Sequence, residues 1–294
     1  MPKCPGSIGG RSISIGNMRS RVIRDKKVLA KVFFCGDDFS RAKTPEAILA
    51  EATRNIRDSR VIGYAGFSKK EYLTDYLLRQ MFDSNDQNVR LSGLDPMRYA
   101  ERVKVIERAL RDAKKVLSSK RYTRIFVFPS FSAFTKEQMG GVSGYTPWED
   151  TLLLFIDPTA RSRKSLRDTI LHEYVHSVSR EHHLWKTLRD SIVFEGLAEN
   201  FVYSISRGIL SPWAASIPRE RASKVFAEIR KNLSSTDVGL YRELFFKNEK
   251  YPLWAGYAIG YHLISAYRKK HPELGWDELV KKSTAEFVKT AIFL

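Results

Sequence analysis

The chain has 294 residues, 43% of them apolar and 28% charged, which suits a packed protein of one large domain or two lobes and excludes disorder over most of its length. Its 50 lysines and arginines against 33 aspartates and glutamates give a formal charge of +17, an excess that favours acidic partners and says nothing about fold. No run approaches the roughly 18 uncharged apolar residues of a membrane span, and two cysteines, Cys4 and Cys35, are too few for a disulfide framework, so a reducing, cytoplasmic setting is expected.

Residues 1–26 are rich in Gly, Ser and Arg, lack the apolar stretch of a secretory signal, and are expected as a loose leader. Residues 28–35 (VLAKVFFC) read as a strand. Thr44-Pro45-Glu46 has the chemistry of a helix start: a cap, a proline in the first turn and an acid near the positive end of the dipole. That helix is expected to reach residue 57, and another to cover 69–82. Asp95-Pro96 opens a long helix with Val103, Ile106, Leu110, Ala113 and Leu117 at helical spacing. Strands follow at 122–128 (YTRIFVF) and 151–156 (TLLLFI), with a flexible Gly-rich turn at 140–145 between them. From Leu166 onward the pattern is helical, with helices expected over 165–183, 188–207, 219–232, 236–247, 253–269 and 275–290. The expected architecture is α+β: a small mixed sheet in an N-terminal lobe over 27–160, a mostly helical lobe over 161–294, and an active site in the cleft between them.

Residues 172–176 read His-Glu-Tyr-Val-His within a helical periodicity set by Leu166, Ile170, Leu171, Tyr174, Val175 and Val178. Positions four apart share a helix face, so His172 and His176 can point both imidazoles at one ion. Glu173 lies beside that face, close enough to reach a water but poorly placed as a ligand. Two imidazoles and a carboxylate suit one zinc ion, which leaves a position open and activates water, with Glu173 as general base.

Two residues compete for third ligand. The spacing of His182 fits the metzincin pattern HExxHxxGxxH, but Ser179 stands where that pattern needs glycine, and no methionine follows Met139 to make a Met-turn. Glu195 follows His176 by nineteen positions on a second amphipathic helix, and Gly196 and Ala198 beside it permit close approach. Glu199, one turn later on the same face, is the candidate to accept a hydrogen bond from a liganding imidazole; Asp190 is a weaker one.

HEYVH, eighteen intervening residues and then FEGLAE resemble the gluzincin metallopeptidases, in which the third ligand is the Glu of an N-E-G-[FL]-A or N-E-x-x-x-D stretch; Phe194 stands here where that clan often has Asn. The chain is more similar still to a poorly characterised prokaryotic family of predicted zinc-dependent proteases, through HExxH, EGLAE and Gly256-Tyr257-Ala258-Ile259-Gly260-Tyr261-His262-Leu263-Ile264. The resemblance covers 125–290. It implies a zincin-like fold, a zinc peptidase of gluzincin type, and a donor to the developing oxyanion in the downstream segment. Tyr257, which begins Y-A-I-G, is that candidate, with Tyr261 and His262 as alternatives. An extended substrate would pair with a strand before the HExxH helix, either Val142, Ser143, Gly144 and Tyr145 or 151–156. Glu149 could hold a free amine, but nothing demands it, so an aminopeptidase is not indicated. The expected partner is a peptide or protein. Nucleic acid is conceivable from charge, which would make a DNA-associated metalloprotease, yet no motif accompanies it. A non-catalytic metal-binding module is the remaining alternative.

Overall fold

The computed structural model describes residues 13–15, 18–25, 27–35, 44–45, 47, 77–83, 96–247 and 249–289. The strands are β1 (Ile13–Ile15), β2 (Met18–Asp25), β3 (Lys27–Phe34), β4 (Thr123–Pro129), β5 (Val142–Trp148) and β6 (Thr151–Ile156). They form one mixed sheet in the order β1-β2-β3-β4-β6-β5. The helices are α1 (Pro96–Val116), α2 (Arg163–Arg180), α3 (Leu188–Ile205), α4 (Arg219–Ile229), α5 (Val238–Phe245), α6 (Ala255–Lys270), α7 (Trp276–Leu279) and α8 (Thr284–Lys289). A mixed sheet early in the chain and helices after it make the fold α+β.

The chain divides into two compact units. One takes the described strands and α1 as far as Arg108, with Lys120–Thr169; the other takes Ala109–Ser119 and everything described from Ile170. Both α1 and α2 therefore contribute to both units. No described helix is long and apolar enough to cross a membrane.

In the first unit, β4 and β6 run parallel, and every residue of both is buried. Their unbroken apolar runs are those of central strands covered on both faces. Among the described strands, β5 pairs antiparallel with β6 and stands last in the order. Its register shifts between Tyr145 and Trp148, a displacement that accommodates Pro147, which has no N–H to give to a ladder. The Gly-rich turn expected at 140–145 is shorter than its composition suggested. Gly140 and Gly141 carry the positive φ angles, +63° and +83°, and the strand begins at Val142. The leader expected at 1–26 also needs correcting, because β1 and β2 lie in it. Arg19, Arg21 and Arg24 gave that segment the look of a polar tail, yet Ile23 is buried among them and β2 pairs along its length with β3. Of the helix expected from Thr44, only the cap is described, with Ala47 N donating to Thr44 Oγ1 at 3.2 Å. Of the helix expected over 69–82, residues 77–81 are helical; residues 46 and 48–76 lie outside the described residues.

In the second unit α3 is central: between Leu188 and Val202 every residue except Arg189 is buried. It crosses α6 at glycine against glycine. A Cβ built on Gly196 would lie 2.2 Å from Gly260 O, and one on Gly260 would lie 2.2 Å from Ile192 O. Asn200 locks the crossing. Its Nδ2 donates to Gly196 O and to Tyr261 O, both at 2.9 Å, and its Oδ1 accepts from Ser265 Oγ at 2.8 Å.

α3 starts with a capping box. Thr187 Oγ1 accepts from Asp190 N at 3.3 Å, and Asp190 Oδ2 accepts from Thr187 N at 2.9 Å. Asp190 Oδ1 also accepts from Thr284 Oγ1 of α8 at 2.6 Å. Asp190 thus fastens a helix end, and no imidazole. Burial alone would raise its carboxyl pKa, but hydrogen bonds from Thr284, Thr187 and Lys186 outweigh it and hold the group below its ordinary value. A depressed acid stabilises the fold above its unfolded pKa of about 3.9, and loses that contribution as pH falls through the lower folded value. Asp190→Asn is therefore expected to cost ~2 kcal/mol at pH 7. In urea unfolding, the gap between variant and parent should narrow below about pH 4.

The single helix expected over 275–290 is instead two, α7 and α8, separated at residues 280–283. α7 is capped by Glu278 Oε2, which accepts from Gly275 N at 2.9 Å.

Candidate metal centre

The second unit brings together His172 and His176 from α2 and Glu195 from α3. His172 Nε2 lies 2.9 Å from His176 Nε2 and 3.0 Å from Glu195 Oε2; His176 Nε2 lies 3.4 Å from the same oxygen. The two imidazole planes stand at 87°. Glu195 and His176 are each 4% exposed and the His172 side chain 12%, so three donor atoms converge on one largely buried point.

That arrangement fits a zinc ion. Ligand bonds of about 2.1 Å in a tetrahedron separate neighbouring donors by about 3.4 Å. The observed spacings are close to this, slightly contracted. Two imidazole nitrogens and one carboxylate oxygen also match zinc in donor type.

The electrostatics favour positive charge at the same point. Burial alone would lower the His172 pKa, yet hydrogen bonds and charges from Glu195 and Glu199 outweigh burial and raise it well above its ordinary value. Burial would raise Glu195, but the charge of His176 and hydrogen bonds from both imidazoles hold its carboxyl down at about 2.

Behind His172 stands Glu199. Its Oε1 lies 2.8 Å from His172 Nδ1, at an ion-pair separation rather than along an aligned hydrogen bond. Trp213 Nε1 donates to Oε1 at 2.5 Å, and the Ser211 hydroxyl donates to Oε2. Glu199 is itself 2% exposed, so it is an oriented carboxylate and no surface charge. Neither Ser211 nor Trp213 is marked by local sequence pattern; only the bond to Glu199 identifies them.

Glu173, next to His172 on α2, is buried. Two tyrosines feel its charge. Tyr257 on α6 is raised well above its ordinary pKa by burial, then by Glu195, Tyr241, Glu199 and Glu173. Tyr241 on α5 is raised by burial, then by Glu195 and Glu173. Phe245 packs between them, 4.7 Å from the Tyr241 ring and 5.2 Å from the Tyr257 ring, centroid to centroid. Sequence reasoning missed Tyr241, because nothing in VGLYRELF distinguishes it from a half-buried helix residue.

The other candidates sit elsewhere. Tyr261 stands edge-on to Tyr203 at 5.8 Å. His262 Nε2 faces Ile217 O at 3.5 Å, and burial lowers its pKa. His182 is exposed at the end of α2, and His183 Nε2 lies 3.0 Å from Val280 O; neither joins the three converging ligands. Val142, Ser143, Gly144 and Tyr145 lie on β5, last in the strand order, whereas 151–156 is β6, between β4 and β5. Glu149 pairs with Arg121 at 3.2 Å in the first unit.

Residues 103–289 match the model of a family described as Predicted Zn-dependent protease (DUF2268). Two proteins of Bacillus subtilis (strain 168) are similar. Uncharacterized protein YjfC is 25% identical over 149 residues, 45% of this chain and 47% of that one. Uncharacterized protein YjaZ is 29% identical over 140 residues, 44% of this chain and 52% of that one. The matches thus span about half the length of these relatives. No solved structure matches the chain.

Proposed function

The chain belongs to this family of predicted Zn-dependent proteases, and from that premise we propose that it is a peptidase that hydrolyses peptide bonds in peptides or proteins. His172, His176 and Glu195 hold one zinc ion, and Glu173 is the general base. The observation that carries this reading is the convergence of three buried donor atoms from two adjacent helices, with an oriented carboxylate behind one of them. Zinc held there supplies a Lewis acid that polarises the scissile carbonyl and brings the pKa of water towards about 7.

The chain's own residues do the rest. The Glu173 carboxylate takes a proton from the attacking water and passes it to the leaving amine. The Tyr257 hydroxyl donates a hydrogen bond to the oxyanion developing on the carbonyl. Burial, the largest influence on it, raises its pKa and so favours the protonated, donating hydroxyl. Tyr241, raised by the same carboxylates, is the second phenol available for this work. Glu199 fixes the tautomer and orientation of His172.

Metal analysis of purified protein tests the reading, together with digestion of a broad peptide library. We expect about one zinc per chain, and cleavage that stops when a chelator removes it. Protein without zinc would end the proposal. Zinc without cleavage would favour a non-catalytic metal-binding module. Glu199→Gln is expected to weaken zinc affinity roughly 10–100-fold, measured by chelator competition; parent-like affinity would remove Glu199 from its orienting role.

A further inference from the structure

We propose that Trp185 is the positioning residue for His176, holding by packing an imidazole whose Nδ1 has no hydrogen-bond partner among the described residues. This rests on the zinc reading above. The two histidines of the centre are supported differently. His172 has the Glu199 carboxylate 2.8 Å from Nδ1. Neither Nδ1 makes an aligned hydrogen bond among the described residues, but His172 has that carboxylate at ion-pair distance, whereas the ion pair of His176 is made by Nε2, to Glu195, and leaves its buried Nδ1 without one. A liganding imidazole ordinarily gives its second N–H to a carboxylate, carbonyl or water, which sets ring orientation and basicity. A buried polar atom left without one calls for an explanation.

Trp185 occupies the connection between α2 and α3. Its ring centroid lies 4.9 Å from that of His176, tilted by 58°. The indole is fixed in turn from both ligand-bearing helices. Its Nε1 donates to Ser191 Oγ of α3 at 2.8 Å. Phe194, adjacent to Glu195, meets it edge to face at 5.2 Å. The Arg180 guanidinium, at the end of α2, lies over its ring at 5.2 Å. The result is an aromatic bracket, His176–Trp185–Phe194, joining the supports of two ligands. Phe194 stands where the gluzincin pattern has a polar Asn, and it belongs to this bracket.

Packing restricts the swing of the His176 ring, yet it does not draw electron density into Nε2 as an acceptor at Nδ1 would. Metal affinity should then depend on the size and placement of the residue at 185. Trp185→Leu and Trp185→Phe test this in the full chain. The readouts are zinc affinity by chelator competition, the visible absorption spectrum of the cobalt-loaded protein, and the melting temperature of metal-free protein. We expect zinc binding about tenfold weaker in Trp185→Leu and about threefold weaker in Trp185→Phe, which keeps a smaller ring. The cobalt bands should shift in the same order.

Parent-like affinity and spectrum in both variants would overturn the proposal while leaving the zinc reading intact. So would a lowered metal-free melting temperature with an unchanged cobalt spectrum, which would make Trp185 ordinary packing. If the leucine variant does not fold, the phenylalanine variant decides alone by the same criteria. A parent that binds neither zinc nor cobalt overturns the zinc reading and this inference together.

Discussion

Glu173→Gln is expected to silence peptide cleavage and leave zinc bound. The substitution keeps the size and shape of the side chain and removes its capacity to accept a proton. General-base catalysis contributes about 10²–10⁴-fold to such reactions, so kcat/KM should fall by at least about a hundredfold. The three donor atoms of His172, His176 and Glu195 are untouched, and Glu199 still faces His172. Zinc stoichiometry measured on the same sample separates the two possible failures. If activity stays within tenfold of the parent, the base lies elsewhere. If zinc is lost along with activity, Glu173 belongs to the ligand cage. The fold should tolerate the change, since Glu173 is buried and an amide is less costly to bury than a carboxylate.

The His172–His176–Glu195 cluster was legible because its geometry is local. Four residues along a helix return to the same face, so His172 and His176 declare themselves from spacing alone. Glu195 could be reached because α3 has a strong helical pattern and because FEGLAE resembles a known ligand stretch. Glu199 follows from Glu195 by one helical turn. The groups that hold these residues could not be read, because they arrive from distant segments with no periodic signature. Ser211 and Trp213 reach Glu199 from the irregular stretch after α3. Tyr241 comes from a short helix in which its position looks ordinary. Trp185 reads as one aromatic residue in a loop until its ring is seen against His176.

The errors in fold have similar causes. β2 was hidden because arginines flank its buried position, and composition overrode the period of two. The 140–145 segment reads as a turn because four of its residues are Gly or Ser. Two of those glycines make the turn and another lies inside strand β5. The break between α7 and α8 falls in KKS, a sequence that helices tolerate. What ends the helical run there is tertiary: Asp190 of α3 holds Thr284 at the start of α8.

Gly260→Ala should be among the most destabilising single changes available in this chain. In an exposed helix the same substitution would help by about 1 kcal/mol, because alanine is the better helix former. Here the added methyl would sit 2.2 Å from Ile192 O and 2.8 Å from Gly196 N. Both are backbone atoms of α3, so no side chain can rotate out of the way and the helices must part. Overpacking of this kind costs 1–3 kcal/mol and occasionally more, which outweighs the propensity gain. Parting also strains the Asn200 bonds that bridge Gly196 O and Tyr261 O. A net loss of ~2 kcal/mol would lower Tm by roughly 4–8 °C for a domain of this size. The consequences extend to chemistry, because Gly196 follows Glu195 directly and Gly260 lies one turn after Tyr257. Separating the helices displaces Glu195, the proposed third ligand, and Tyr257, the proposed oxyanion donor, together. Zinc affinity should therefore fall in Gly260→Ala even under conditions where the variant remains folded. Gly239→Ala is the control, since its added methyl meets only the Asp237 side chain, at 3.2 Å. Thermal unfolding should place that control within about 1 kcal/mol of the parent. A Gly260→Ala protein that melts with the parent would mean that α3 and α6 do not cross at backbone contact, and the support proposed for Glu195 would have to be sought elsewhere.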